Sequence, residues 1–164
     1  MRSLGSIVAA AAMAAALAGC GPSGGGKTDA TPAAPKAPEL SEAERQALLA
    51  ALPAPYNAAD LKNGQSKFAL CRSCHTITPG GPNMTGPNLH SVFGEPAATK
   101  ADYRYSEVLK TAGIVWDAQH LDQWLANPRT YLPGTKMSFV GIKDAKDRTD
   151  LIAYLMVETG HKPR

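Results

Sequence analysis

Cys71, Cys74 and His75 stand together in the segment LCRSCHTI, residues 70–77, where their types and spacing could support several chemistries. A Cys-x-x-Cys pair serves as a redox dithiol, occurs twice in many structural zinc sites, and precedes a histidine where haem is attached covalently. A structural disulfide is the plainest alternative. The rest of the sequence distinguishes among these four kinds of site.

The number and spacing of the cysteines and histidines favour haem attachment. The chain has three cysteines and four histidines, and Cys20 belongs to a separate motif, so a four-thiolate zinc site lacks ligands. No histidine pair has Cys2His2 spacing, and the strand patterns expected around a thioredoxin-like pair are absent. For haem, two thiols add to the two vinyl groups and the adjacent His75 reaches the iron. We therefore predict one covalently bound haem c, with a disulfide between Cys71 and Cys74 as the alternative.

The iron also needs a partner opposite His75, or an open position there. Met156 lies in an apolar helical stripe that predicts core packing, and Met84 is very close to the proximal histidine in sequence. His120 and His161 lie in polar contexts that predict solvated positions. Met137 lies in the loop YLPGTKMSF, where Pro133 and Gly134 interrupt regular structure and an apolar flank follows. We favour Met137 as the sixth ligand, the alternative being core packing.

Helical patterns surround these residues. The segment NAADLKNGQSKFALC predicts a helix with Asn57 as its N-cap, which delivers Cys71 at its end. Three more helices are predicted: SEVLKTAG ends at Gly113, the next begins at Asp117 and is stopped by Pro128, and the last is AKDRTDLIAYLMVET. The elements that position the site are therefore expected to be helices.

The N-terminus has the features of an exported lipoprotein. Arg2 precedes an apolar run from Leu4 to Leu17, about 21 Å long as a helix and so shorter than a bilayer core of about 30 Å. Such a run suits a signal peptide, and LAGC at residues 17–20 resembles a bacterial lipobox. We expect residues 1–19 to be the signal and Cys20 to carry a diacylglycerol, the alternative being a small-residue loop with an incidental cysteine.

The residues that follow predict a tether. Gly, Pro, Ala and Thr dominate residues 21–38 and cannot bury enough apolar surface to form a core. Ser41 and Glu44 then form a capping-box pattern before RQALLAAL, which predicts a short helix over residues 40–52. All ten aromatic residues lie from Tyr56 onward. We therefore divide the chain into an anchor, tether and short helix over 20–55 and a packed domain over 56–164.

A net charge of +3 without a basic run excludes a nucleic-acid binder.

From about residue 58 to 159 the chain resembles a class I, mitochondrial-type cytochrome c. The resemblance rests on CRSCHTI, TGPNLHSVFG, AGIVW, NPRTYLPGTKM and DLIAYL, which occur in the family's order and near its spacing. It implies an all-α fold of about four to five helices around one haem. It also implies thioethers at Cys71 and Cys74, His75 as the proximal ligand and Met137 as the distal one.

The resemblance assigns supporting roles as well. Pro87 matches the proline whose carbonyl accepts the N–H of the proximal imidazole. Tyr105 and Trp116 match hydrogen-bond donors to the propionates, and Thr135 matches a threonine of the distal loop. The contact between the first and last helices of the family is matched by Gly64, Phe68, Leu151 and Tyr154.

The chain departs from the family at several positions. Trp124 replaces a tyrosine near the methionine sulfur, and an indole N–H can donate but cannot accept. Glu95 and Leu109 replace an arginine and an asparagine that support the propionates. The family's ring of lysines around the haem edge is thinned, because six of its positions hold other residues: Leu70, Pro79, Pro82, Met84, Thr130 and Asp144.

The resulting hypothesis is a monomeric electron carrier and not an enzyme. We expect it at the periplasmic face of a bacterial inner membrane, held by its lipid and exchanging electrons with membrane redox complexes. An example is transfer from a quinol:cytochrome c reductase to a terminal oxidase. The alternative is the haem subunit of an exported dehydrogenase or a haem peroxidase, although a peroxidase needs an open sixth position, against which Met137 argues.

Overall fold

The structure is a computed structural model that describes residues 39–161. Six α-helices lie within them: α1 Glu42–Ala50, α2 Leu61–Phe68, α3 Glu107–Lys110, α4 Ala118–Ala126, α5 Pro128–Tyr131 and α6 Ala145–Glu158. These residues contain no strand, only one isolated bridge between Pro96 and Val115. The predicted all-α class is confirmed. The helix count exceeds the expected four to five because α3 and α5 are single turns. The expected signal, lipidated Cys20 and tether lie outside the described residues.

Helix α2 begins later than the sequence pattern suggests. Asp60, not Asn57, is its N-cap, and its carboxylate accepts the Asn63 N–H at 3.0 Å. Residues Tyr56–Ala58 instead form a short 3-10 turn. Both Asn57 and Asp60 are good capping residues. Asp60 has the advantage because its own backbone N–H donates to Asp150 Oδ1 of α6 at 3.0 Å, which holds it in the extended conformation that an N-cap requires.

The crossing of α2 and α6 is the most extensive helix–helix contact of the described chain. Gly64 lies against the backbone of Asp150, and a Cβ added there would overlap the Asp150 carbonyl and come within 2.7 Å of Tyr154 Cβ. One turn further, the rings of Phe68 and Tyr154 have their centroids 5.9 Å apart. Leu151 is fully buried. The predicted contact of Gly64 and Phe68 with Tyr154 is confirmed.

A buried carboxylate ties the start of α2 to α6. Asp150 is only 1% exposed, and besides the Asp60 N–H it accepts bonds at Oδ2 from Asn63 Nδ2 at 2.8 Å and Lys146 Nζ at 2.6 Å. Burial raises the pKa of Asp150, but these hydrogen bonds outweigh that effect and hold the pKa below its ordinary value. Asp150 is therefore ionised at neutral pH, and its charge is fully hydrogen-bonded rather than isolated.

Helix α1 is part of the packed unit. Its capping box is present, with the Glu44 N–H donating to Ser41 Oγ and the Ser41 N–H donating to Glu44 Oε2. Leu49 and Leu52 are buried in the core, and Arg45 forms an ion pair with Glu158 at 2.5 Å near the end of α6. The compact unit thus includes a segment that the expected boundary at residue 56 leaves out. Within residues 39–161, no helix combines the length and apolar character needed to cross a membrane.

The remaining helices bring the distal loop toward the same core. Asp117 caps α4 by accepting the His120 N–H at 2.8 Å, as expected, and Pro128 ends it. Pro128 is also the first residue of α5, which Asn127 caps, because proline is well suited to the first turn of a helix. Buried residues of α4 join the face of α6: Leu121, Trp124 and Leu125. Helix α4 and the single turn of α5 therefore lead into the Met137 loop.

Whether Gly64→Ala raises or lowers the free energy of unfolding tests the close crossing of α2 and α6. Alanine normally favours a helix interior by about 1 kcal/mol over glycine. Here the new methyl group would meet α6, so we expect Gly64→Ala to lower the free energy of unfolding by about 1 to 3 kcal/mol in urea titrations of the haem-loaded protein. Ser66→Ala, on the exposed side of the same helix, is the control and should change stability little. A more stable Gly64→Ala protein would contradict the close crossing.

Candidate functional site

The two cysteines lie in a helical turn that continues from α2. The Cys71 N–H donates to Phe68 O at 2.8 Å, and the N–H groups of Cys74 and His75 both donate to Cys71 O, at 3.0 and 2.9 Å. Because α2 is fixed on α6, this turn is fixed as well. The sequence pattern thus places all three site residues on one short, anchored segment.

The environment of the thiols disfavours the alternatives to haem. Cys71 and Cys74 are free thiols, both half-buried. Burial, and to a lesser degree the neighbouring Cys74, raises the pKa of Cys71 to about 11, whereas redox dithiols depend on a lowered pKa. No group of three or more His, Cys, Asp or Glu side chains within residues 39–161 could hold a metal ion. Two thiols beside one histidine fit covalent haem attachment better than a dithiol or a zinc site.

The imidazole of His75 is oriented from one side. Its Nδ1 lies 2.7 Å from the carbonyl oxygen of Pro87. A carbonyl can only accept, so Nδ1 carries the proton and Nε2 keeps its lone pair. Burial lowers the pKa of His75, and the Pro87 bond opposes this effect. The neutral ring with an available Nε2 is the form that binds iron.

Gly86 forms a cradle for the His75 imidazole, a role that its sequence context does not reveal. A Cβ at Gly86 would lie 2.6 Å from His75 Nε2 and 2.7 Å from Nδ1, so only glycine leaves room for the imidazole. The Gly86 N–H donates to Cys74 O at 2.8 Å, which joins the cradle to the cysteine turn. The motif TGPNL contains Gly86, but a glycine before proline gives no sign of its contact in a single sequence.

Asn88 is a second supporting residue that the sequence reading missed. It is buried, and its side chain donates to Thr76 Oγ1 at 2.6 Å and to Thr78 O at 3.0 Å. Its backbone N–H donates to Asn83 Oδ1 at 2.8 Å. Because Asn88 adjoins Pro87, these bonds hold the carbonyl that orients His75.

The loop that carries Met137 is fixed by its backbone and by a lysine. Gly134 has φ +91°, a left-handed conformation suited to glycine, and Thr135 Oγ1 accepts the Met137 N–H at 3.3 Å. Lys136 Nζ donates to the carbonyl oxygens of Arg104 and Tyr105, both at 3.2 Å. Met137 is half-buried against the core. The loop is therefore restrained on both sides of the methionine, whose role as an iron ligand stays a prediction.

The other candidate ligands have different surroundings. Met156 is buried in the core, as expected, and Met84 is exposed. His120 is half-exposed, and its Nδ1 lies 2.8 Å from Asp117 Oδ1. His161 differs from the expectation of a solvated position, because its ring packs against Phe93 with centroids 5.2 Å apart.

Aromatic rings extend from the core toward the Met137 loop. The indoles of Trp116 and Trp124 are edge-to-face at 5.4 Å, and Trp124 meets Tyr131 of α5 at 6.1 Å. Tyr105 is half-buried, and burial raises the pKa of its hydroxyl. The structure assigns Trp116 and Trp124 to core packing at least, while their hydrogen bonds to a propionate or a methionine sulfur stay predictions.

A basic cavity of about 360 Å³ lies beside Tyr105. Four cations and one acidic residue line it: Lys100, Arg104, Lys110, Lys136 and Glu107. Glu107 is paired with Lys110 at 2.7 Å. Glu95, which replaces the family's arginine, is exposed, and Leu109 is half-buried. Positive charge near Tyr105, one of the two expected propionate donors, is therefore supplied by residues that no sequence motif marks.

Comparisons with known proteins agree with this site. A family profile described as cytochrome c matches residues 61–157. Cytochrome c of Kluyveromyces lactis is 42% identical over 106 residues, covering 64% of this chain and 96% of that protein. Cytochrome c2 of Rhodomicrobium vannielii is 38% identical over 114 residues, covering 70% and 91%.

A solved structure is similar as well. Cytochrome cH from Methylobacterium extorquens has a TM-score of 0.55 and 45% identity, covering 59% of this chain and 97% of that one. The matched residues 61–157 include the cysteine turn and Met137, whereas α1 lies outside them. The similarity therefore concerns the site and the helices around it.

Gly86→Ala tests the cradle around His75. The added methyl group would meet the imidazole, so we expect a lower yield of haem-loaded protein, an altered visible spectrum, and a loss of about 1 to 3 kcal/mol in unfolding free energy. Thr85→Ala changes the exposed neighbour and keeps its carbonyl, which accepts a bond from Tyr103 Oη; it should behave as the parent. Equal spectra and denaturation midpoints for Gly86→Ala and the parent would show that the ring does not rest on Gly86.

Proposed function

The chain belongs to the cytochrome c family, and we propose that it carries single electrons between membrane redox complexes while a lipid on Cys20 holds it at the membrane. The family supports an electron carrier with covalently bound haem c and not an enzyme. The observation that carries the proposal is the turn Cys71–His75, in which two free thiols adjoin an imidazole oriented by Pro87.

Each site residue has a distinct role in this proposal. Haem c supplies an iron that takes up and releases one electron. Cys71 and Cys74 would hold it by thioethers, and His75 Nε2 and the Met137 sulfur would bind its iron. Pro87 fixes the tautomer of His75, and Thr135 restrains the backbone of Met137. With both His75 and Met137 bound to it, the iron would be closed to small molecules, as an electron carrier requires.

The proposed partners are respiratory complexes, for example a quinol:cytochrome c reductase as donor and a terminal oxidase as acceptor. Support comes from the family and from the N-terminal sequence, where an apolar run precedes LAGC at residues 17–20. A lipid at Cys20 and a Gly/Pro-rich tether would keep the carrier at high local concentration beside such complexes. A respiratory partner favours the periplasmic face of the inner membrane.

Electron exchange with membranes tests the function as a whole. We expect the haem-loaded protein, reduced chemically, to be reoxidised by membranes of the producing bacterium in a reaction blocked by an inhibitor of the terminal oxidase.

Cys71→Ser and Cys74→Ser should each reduce haem attachment, and the double variant should yield little holoprotein. A protein that membranes neither reduce nor oxidise would contradict the proposed function.

Met137→Ala tests the distal ligand. The thioether raises the potential and fills the sixth position, so we expect the variant to keep its haem, to have a lower reduction potential, and to bind cyanide or react with peroxide readily. Met84→Ala is the matched control, because Met84 is exposed, and it should leave potential and ligand resistance unchanged. If Met137→Ala retained both properties of the parent, the assignment of Met137 would be wrong.

Cys20→Ala tests the anchor independently of the haem. Removal of the acylated thiol should move the protein from the membrane fraction to the soluble fraction while its visible spectrum stays the same. Immunoblots of fractionated cells and the mass of the mature N-terminal peptide provide the measurement. A protein that is soluble before the substitution, or membrane-bound after it, would contradict lipid anchoring.

A further inference from the structure

Three aromatic rings form a continuous row within the described chain. The rings of Trp116 and Trp124 meet edge to face with their centroids 5.4 Å apart, and the ring of Trp124 meets that of Tyr131 at 6.1 Å. We refer to Trp116, Trp124 and Tyr131 as the aromatic row. The other ring contacts within residues 39–161 are separate pairs. The row also contains both tryptophans of the sequence.

The aromatic row leads from the core to the surface. Trp116 and Trp124 are only 8% and 7% exposed, whereas Tyr131 is half-buried at the end of the short helix α5. Burial, and then the negative charge of Asp117, raise the pKa of Tyr131, so its hydroxyl keeps its proton at neutral pH. The outer end of the row is therefore a protonated phenol that solvent reaches.

The inner end of the row borders the candidate haem site. Trp116 and Trp124 belong to the buried core cluster, and Cys71 and Met137 both pack against that cluster. A haem joined to Cys71 and bound through Met137 would therefore lie beside the cluster that contains the two indoles. Core packing explains why large apolar rings are buried here, but it does not require rings that are easily oxidised or a row that ends in a tyrosine at the surface.

The chemistry of the three side chains suits the transfer of electrons. Tryptophan and tyrosine lose an electron far more readily than phenylalanine does. Electrons pass quickly between rings in van der Waals contact, so a row of such rings carries an oxidising equivalent further than a single step would. A tyrosine gives up its electron most easily where its phenolic proton can leave to water, which favours the surface end of this row.

We infer that the aromatic row carries oxidising equivalents from the haem site to the surface when hydrogen peroxide reaches the iron, and that an external one-electron donor such as ascorbate removes them at Tyr131. The inference goes beyond the proposed electron transfer between complexes, but it rests on the proposed haem, because peroxide needs the iron to react. The row would protect the site, since an oxidising equivalent that stays there damages the haem or converts Met137 to its sulfoxide.

Electrons and protons balance along this path. Each peroxide breaks its O–O bond and becomes two waters by taking up two electrons and two protons. Two passages along the row supply the electrons: in each, Tyr131 gives an electron to Trp124 and its phenolic proton to water. The phenoxyl radical then takes one electron and one proton from ascorbate, which restores the O–H bond. Two ascorbate molecules are oxidised to their one-electron radicals, and the row is left unchanged.

Tyr131→Phe tests the row because it keeps the ring and removes the group that is oxidised. Each variant is made in the Met137→Ala protein, whose iron is expected to be open to peroxide. Trp124→Phe interrupts the row one ring earlier. Tyr154→Phe is the control, because Tyr154 pairs with Phe68 instead.

Three measurements follow the fate of the oxidising equivalents. The oxidised holoprotein is mixed with hydrogen peroxide, and radicals in freeze-quenched samples are recorded by electron paramagnetic resonance. A nitroso spin trap and peptide mass spectrometry locate the radical in the sequence. Loss of haem absorbance is timed with and without ascorbate. Visible spectra and unfolding midpoints are recorded for every variant, and Tyr131→Phe alone decides if Trp124→Phe is unstable.

We expect the Met137→Ala parent to form a trapped radical at Tyr131, and ascorbate to slow its loss of haem absorbance. Tyr131→Phe and Trp124→Phe should each abolish the adduct at Tyr131. With ascorbate present, both should lose haem absorbance about twofold faster or more, because the oxidising equivalents stay at the site. Tyr154→Phe should match the parent in the position of the adduct and in the rate.

Other results would overturn the inference. An adduct at Tyr103, Tyr105 or Tyr154 in place of Tyr131 would do so, as would equal haem loss in the parent and in both row variants. The proposed function would survive either result, since covalent haem and its reversible one-electron step do not depend on the row. A parent without covalently bound haem, or with haem that does not consume peroxide, overturns the proposed haem site, and the inference with it.

Discussion

The close approach of α2 to α6 at Gly64 is the constraint on which the site depends. The last turn of α2 runs directly into Cys71, so the position of the cysteine turn follows from how α2 is held. Two interactions hold α2. Gly64, which has no side chain, lets α2 lie directly against the backbone of α6. The buried carboxylate of Asp150 accepts hydrogen bonds from the Asp60 N–H and from the Asn63 side-chain amide. Packing sets the distance between the helices, and the hydrogen bonds of Asp150 set their register.

The proximal side of the site is built from backbone and small residues. His75 is oriented by a carbonyl, given room by a glycine, and supported by a buried asparagine amide. None of these groups is charged, so the imidazole is fixed without a carboxylate that would raise its basicity further. The distal loop is restrained differently, by Thr135 and by the contacts of Lys136 with the chain near Tyr105. The segments that carry His75 and Met137 are therefore held in place by separate sets of contacts.

The sequence was most informative where a residue type is dictated by local chemistry. Asp117 and Ser41 follow the short-range rules of helix capping, and the structure places both caps as predicted. The start of α2 differed because two good caps compete there, and the choice depends on Asp150, ninety residues away. Gly86, Asn88 and the basic cavity were missed for the same reason, since their roles come from contacts between distant segments. The packing of α1 against α6 was also unforeseen, because one short amphipathic helix does not specify what it packs against.

The central claim is that Cys71 and Cys74 hold one haem c that exchanges a single electron under His75 and Met137 ligation. Spectroelectrochemical titration of the purified full-length protein, after acid–acetone extraction to remove any haem that is not covalently bound, tests this most directly. The account predicts haem retained by the chain, one reversible one-electron step, and a methionine-to-iron charge-transfer band in the oxidised form. Extractable haem, a two-electron thiol couple, or an oxidised spectrum without that band would contradict it.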